Sequence, residues 1–205
     1  MNRLNLLALC TVDAMTALRG AHGKPGLMGR SITAMEARLA PYLAQPSDIP
    51  GHGEAGSYEH NQHQLNYRLC ETAGMLYQIT GEQRYADWAA DLITRYADVY
   101  LKLGFQKAKY LFPAGRIFHQ ILNENIWLLA MSIGYGCIRQ TLPQERREYI
   151  ESQLLRPVVE MMTEKFAKDF CTIHNHGLWG TAAVGTCGLV IGDDRYVSMA
   201  LDGLQ

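Results

Sequence analysis

Apolar residues recur along this chain at helical spacing almost everywhere, and no stretch alternates apolar with polar residues as a half-buried strand does. Leu4, Leu7, Thr11, Ala14 and Leu18 share one face of a first expected helix, which Gly20 ends. A second is expected from about Ser31 to Leu43, on Ala34, Ala37, Leu39 and Leu43. The segment QPSDIPGHGEAGS, residues 45–57, then interrupts the pattern, because its prolines and glycines do not continue a helix, and it reads as a structured loop or a short linker. Beyond it the helices come in pairs. Leu65, Leu69, Ala73 and Leu76 mark one, stopped by Gly81, and Ala86, Ala90, Ile93 and Ala97 mark its partner. Ile117, Leu122, Ile126, Leu129 and Ile133 mark the next. Pro143 suits the first turn of a helix carrying Ile150 and Leu154, and Pro157 should start or kink another carrying Val158, Met161 and Phe166. A last apolar run from Gly177 to Val190 leads into IGDDRYVSMALDG.

The turns between these helices resemble one another. LYQITGEQRYADWA (76–89) and GLVIGDDRYVSMA (188–200) share an apolar residue, Gly, an acid, any residue, Arg-Tyr and a new helix, and TLPQERREYIES is a looser version between them. Gly in the left-handed conformation ends one helix, the acid caps the next, and the Arg-Tyr pair packs the turn. Turns repeated at roughly 55-residue spacing predict an all-α fold of stacked antiparallel hairpins. Residues 1–44 form leading helices, 45–57 the loop, and 58–205 the hairpin array; MALDGLQ starts a partner helix and stops, which predicts a truncated array.

Composition narrows the class. A chain with 48% hydrophobic and 19% charged residues is globular, and a net charge of -1 removes the electrostatic case for a nucleic-acid binder. The odd number of cysteines, Cys10, Cys70, Cys137, Cys171 and Cys187, with no CxxC, reads as buried reduced thiols of a cytoplasmic protein, with the periplasm as the alternative. The apolar start stops at Cys10 without a signal-peptide cleavage site, Leu9 is too large to precede a lipidated cysteine, and no apolar run approaches the roughly 20 residues that span a bilayer. No membrane partner is expected; an assembly of identical copies is left open.

Two polar clusters stand out. In GSYEHNQHQLNYR (56–68), His60, His63 and Tyr67 share one helix face, with Tyr58 just before them; in HNHGLWG (174–180), His174, Asn175 and His176 open a helix. Helix starts favour a carboxylate ligand, through free N–H groups and the positive dipole end. A metal reading of the histidines lacks the accompanying Glu or Cys set, so neither metal nor cofactor is expected. The contiguous letters HNH are no nuclease motif in an all-helical chain of near-zero charge.

GSYEHNQHQLNYRL…AGMLYQITGEQRYADWA, AGRIFHQILNENIWLL and IHNHGLWGTAAVG, in this order, resemble the N-terminal helical part of family 17 polysaccharide lyases, the oligoalginate lyases, within the alginate lyase and heparinase II/III group. The resemblance covers nearly the whole chain and implies an incomplete α/α toroid followed by an antiparallel β-sheet domain, with an alginate or oligoalginate substrate. It implies that Asn175 and His176 neutralise the uronate carboxylate, while the proton-transferring tyrosines and further His and Arg groups lie beyond residue 205, so that residues 1–205 alone turn over little. Glu59 and Gln64 depart from the family's usual Thr and basic residue.

The chemistry fits these residue types. A uronate lyase removes the C5 proton beside the carboxylate and expels the C4 oxygen, and donors aimed at the carboxylate oxygens stabilise the charge that develops. Asn offers two N–H donors and His one or two. Arg116, and less so Lys107 and Lys109, add attraction for an acidic sugar chain; Gln120, Asn123 and Glu124 either bind sugar hydroxyls or link helices. His60, His63 and Tyr67 either contact sugar or hold the 45–57 loop, and His174 lines the groove or packs beneath it. Trp127, Trp179 and Tyr58 are core or sugar-stacking platforms. A non-catalytic helical binding module, and a toroid glycoside hydrolase using Glu59 and Glu124, are the competing readings.

Overall fold

The computed structural model describes residues 10–108 and 112–204, so the expectations on Leu4, Leu7 and Lys109 lie outside the described residues. Ten α-helices are found there: α1 Val12–Ala21, α2 Leu27–Leu39, α3 Tyr58–Thr80, α4 Gln83–Val99, α5 Ile121–Ile138, α6 Gln144–Ile150, α7 Arg156–Glu160, α8 Ala167–Phe170, α9 Asn175–Ile191 and α10 Asp194–Asp202. No strand occurs among the described residues; one isolated bridge pairs Gly53 with Phe118. The all-α hairpin architecture is as the periodicity requires.

Helix starts follow capping chemistry. Thr11 and Ser57 accept from the amides of Ala14 and His60, and Asp193 from that of Arg195. Helix α2 begins four residues before the expected Ser31, after Gly26, and Gly29 in its first turn packs so closely on the preceding turn that a Cβ there would lie 1.9 Å from the Lys24 carbonyl oxygen. Ile117 lies outside α5, in a loop whose amides have a different partner, described below. Residues 144–165 run as one helical stretch in which π-helical turns, 151–155 and 161–165, flank α7; Pro157, without an N–H, falls in the first turn of α7.

The repeated turns are realised with one difference. Gly81 and Gly192 close α3 and α9 with φ of 75° and 78°, the left-handed region open to glycine. The acids diverge: Asp193 caps α10 and pairs with Arg156, whereas Glu82 makes no cap and pairs with Arg84 at the surface. In both turns the tyrosine, Tyr85 or Tyr196, is buried under its neighbouring arginine.

Helix α5 is the centre of the molecule, packed between α3 and α9. It is apolar round its circumference, as a helix buried on all sides must be. A Cβ on Gly74 would lie 2.7 Å from the Gly134 carbonyl oxygen, so the α3 and α5 backbones meet where neither carries a side chain. Trp127 is fully buried, stacked on Tyr100 and edge-on to Tyr96. Trp179, by contrast, is exposed on α9 beside Leu178, so its core reading does not hold. The cysteines are all free; Cys70, Cys137 and Cys187 are buried, but Cys171 is exposed and Cys10 half-buried, which corrects the uniform burial expected of them. Burial pushes the thiols of Cys137 and Cys187 up to about 12, leaving them inert at neutral pH.

Candidate functional site

The 45–57 segment is a structured loop, and the first polar cluster holds it. His63, fully buried, donates from Nε2 to the Gly51 carbonyl at 2.8 Å and accepts at Nδ1 from the Tyr96 hydroxyl at 2.7 Å. A carbonyl only accepts, so this tautomer is dictated. Asn66 continues the network, donating to the Tyr96 oxygen and the Asp48 carbonyl and accepting from Ser47 and Gln62. Asn66 follows His63 by one helical turn on the same face, whereas Tyr96, on α4, carries no signal in the sequence. With both ring nitrogens engaged inside the protein, His63 keeps no polar atom for a ligand. Tyr67 is likewise buried in the core, and exposed Tyr58 donates its hydroxyl to Asp48.

Burial pushes the His63 imidazole down from 6.5 to about 4, against the weaker upward pull of its bond to the Gly51 carbonyl. The folded state therefore holds His63 neutral, while the unfolded chain takes up a proton as pH falls through about 6.5. This contribution to stability is complete above pH 6.5 and is lost as pH falls toward 4. Between pH 7 and pH 4.5 the loss from this residue is about 2 to 3 kcal/mol. Urea midpoints at these two pH values measure it, and the dependence should shrink in His63→Gln; a midpoint that does not fall with pH contradicts the neutral buried assignment.

Residues 112–120 form the loop between the two clusters, and Glu124 builds it from beneath. Its carboxylate, fully buried in the first turn of α5, accepts from the Tyr100 hydroxyl at 2.9 Å and from the backbone amides of Arg116, Ile117 and Phe118 at 3.2 to 3.3 Å. Burial raises its carboxyl pKa, and these four donors pull it back. Gly115 is required where the loop crosses it, since a Cβ would fall 1.7 Å from Glu124 Oε2. Arg116 donates to the Leu103 carbonyl and lies over the Phe105 ring, while His52 holds its carbonyl oxygen at 2.7 Å. Asn123 is half-buried in the first turn of α5.

This loop brings the clusters together. On one side His119 lies 5.6 Å, ring to ring, from His60, whose Nε2 meets the Gln64 amide at 3.0 Å. Burial and the neighbouring His119 lower the His60 pKa. On the other side Gln120 leaves the cap position of α5 without capping it and reaches His176 Nε2 at 3.3 Å.

At the start of α9, His174 is the cap, accepting the His176 amide at Nδ1 at 2.9 Å. Asn175 is exposed, with Oδ1 turned to that same amide at 3.1 Å and its amide nitrogen left for solvent or ligand. His176 is buried to 3% exposure beneath Phe112, whose ring centroid is 4.0 Å away at a 32° tilt. Its carbonyl accepts from Asn125 at 3.0 Å, tying α9 to α5. Burial lowers the His176 pKa, His174 adds to this, and Asp169 opposes it. The arrangement sets the Asn175 amide nitrogen and the His176 imidazole at a helix N-terminus, with an aromatic ring and the Gln120 amide alongside, which suits an anionic oxygen ligand. Phe112 and Asp169 gave no signal in the sequence; Asn125, a polar residue inside an apolar helix, could have been read as a helix-to-helix link. Among the described residues no group of three or more His, Cys, Asp or Glu is placed to hold a metal ion, and no helix is long and apolar enough to cross a membrane.

Residues 68–205 match the sequence family described as alginate lyase. The chain is 37% identical over 175 residues to an exo-oligoalginate lyase of Saccharophagus degradans, covering 85% of this chain and 24% of that protein. It is also 37% identical over 172 residues to an alginate lyase of Stenotrophomonas maltophilia, covering 83% and 23%. The chain thus spans about a quarter of the length of these curated relatives.

Proposed function

This chain belongs to the alginate lyase family, and we propose that it forms the carboxylate-binding part of a polysaccharide lyase that cleaves alginate or oligoalginate by β-elimination. The observation that carries this reading is the start of α9: Asn175 with its amide nitrogen exposed beside His176, whose Nε2 faces the Gln120 amide. In this reading Asn175 and His176 hold the uronate carboxylate and relieve the charge that builds as the C5 proton leaves. Gln120 orients the sugar from the facing loop, His174 fixes the helix start, and His60 with Gln64 lines the groove further along. Tyr58 and Asn123 border the groove, and Arg116 shapes its loop. His63 and Tyr67 act by holding the scaffold. The helical hairpins are taken as part of an α/α toroid, and residues elsewhere in a full-length protein, tyrosines by the resemblance, move the proton from C5 and to O4. Residues 1–205 alone are expected to turn over little.

The hydrolase alternative has no support at Glu124, which is sealed beneath its loop with its oxygens engaged, while Glu59 is half-buried at the start of α3. The test is direct. The full-length protein on alginate oligomers should generate the ultraviolet absorbance of an unsaturated uronate, with one new unsaturated end per bond broken. Reducing ends appearing without unsaturation would indicate hydrolysis, and binding without any new ends a non-catalytic module. Either outcome rejects the lyase reading.

A further inference from the structure

Behind His176, away from Gln120, is a recess of about 10 Å³, walled by Met162 and Phe166 and reached by three polar side chains, His176, Asn125 and Asp169. A volume of this order admits one water, and a buried water needs two to four polar partners. Two buried atoms here have no hydrogen bond within the protein, His176 Nδ1 and Asn125 Oδ1, on residues only 3% and 4% exposed. The Asn125 amide cannot be the other way round: its nitrogen donates to the His176 carbonyl, which only accepts, so the orphan atom is the oxygen. Asp169, half-buried on α8, brings a carboxylate to the same space.

We propose that one buried water occupies this recess, accepting from His176 Nδ1–H and donating to Asn125 Oδ1 and the Asp169 carboxylate, making Asn125 and Asp169 positioning residues for His176. The inference rests on the reading of His176 as a ligand of the substrate carboxylate. Both oxygens only accept, so the water spends its two hydrogens on them and turns a lone pair to Nδ1, which must carry the ring hydrogen. Neutral His176 then shows Gln120 a lone pair at Nε2, and a lone pair cannot hold a carboxylate. Substrate binding therefore draws one proton from solvent onto Nε2; the Gln120 amide gives up its hydrogen bond to that nitrogen in favour of the carboxylate, and no other covalent bond changes. The resulting imidazolium lies between the substrate carboxylate and, through the water, Asp169. The other groups facing the ring are His174 from its own helix start, whose protonation would oppose the uptake, and neutral Phe112, Gln120 and Asn125.

Long-range proton–nitrogen spectra of the full-length protein labelled at histidine nitrogen read the tautomer without any need for turnover. Above the imidazole range His176 should be protonated at Nδ1 and His174 at Nε2; a His176 protonated at Nε2 overturns the proposal. Asp169→Asn should lower the pH at which His176 titrates and cut kcat/KM about tenfold at neutral pH. Asp169→Glu, which restores the charge, should recover the titration. An unchanged titration in Asp169→Asn overturns the proposal, whereas the expected tautomer and titration in a protein that forms no unsaturated product would leave the proposal standing and reject the lyase reading.

Discussion

His176→Ala in the full-length protein is expected to reduce kcat on alginate oligomers by about 10²- to 10³-fold, the range typical for loss of one donor to a developing oxyanion. The loss should fall on kcat more than on KM, because the carboxylate oxygens gain charge only as the C5 proton departs, and a donor aimed at them is worth more then than in the ground state. Asn175→Ala should act in the same direction. It also supplies the cleaner test, since Asn175 is exposed and its side chain bonds only to an adjacent amide, so that fold stability changes little. His176 is buried against Phe112, and its removal leaves a cavity; far-ultraviolet circular dichroism and a thermal melt should therefore accompany the rate measurement. If Asn175→Ala and His176→Ala both keep kcat within threefold of the parent, neither residue holds the carboxylate.

The second large effect is expected at Glu124, and it is one of stability. Glu124→Ala leaves the Tyr100 hydroxyl and the amides of Arg116, Ile117 and Phe118 without their acceptor in a fully buried place. Stranding that many buried donors costs about 3 to 5 kcal/mol, more than half the stability of many domains. A melting temperature lower by roughly 6 to 20 °C follows for a chain of this size. Glu124→Gln keeps one acceptor oxygen and should fall between. The loop that Glu124 supports carries Phe112 and Gln120 to His176, so whatever fraction of Glu124→Ala remains folded should also bind substrate weakly. A melt unchanged in Glu124→Ala would mean the loop is held by other contacts.

Glu124 also shows where sequence reading stops. As a carboxylate near a groove it was a candidate for sugar binding or for hydrolytic chemistry, and helical spacing cannot tell an inward from an outward polar residue at the first turn of a helix. Burial decides it, and burial depends on a loop whose own course Glu124 directs. His63 is the same case: its spacing with His60 and Tyr67 placed it correctly on one face, but that face packs on Tyr96 and the 45–57 loop, contacts 12 and 33 residues away. Ile117 looked like the first residue of a helix because its apolar spacing continues that of α5, yet its amide goes to Glu124 instead.

Local rules carried the rest. The 3.6-residue period marks α3, α4 and α5, an apolar run marks α9, and glycine's access to the left-handed region ends α3 and α9 at Gly81 and Gly192. Residue type and the family resemblance together make Asn175 and His176 the candidate donors for a carboxylate. These features depend on a few neighbouring residues and are therefore written in the order of the chain. Tertiary structure alone decided that Gln120 meets His176, that Phe112 floors the site, and that Asn125 and Asp169 stand behind it. Such meetings depend on how closely α3, α5 and α9 pack, which is fixed by many small side chains acting together across long separations and by no local pattern of residues.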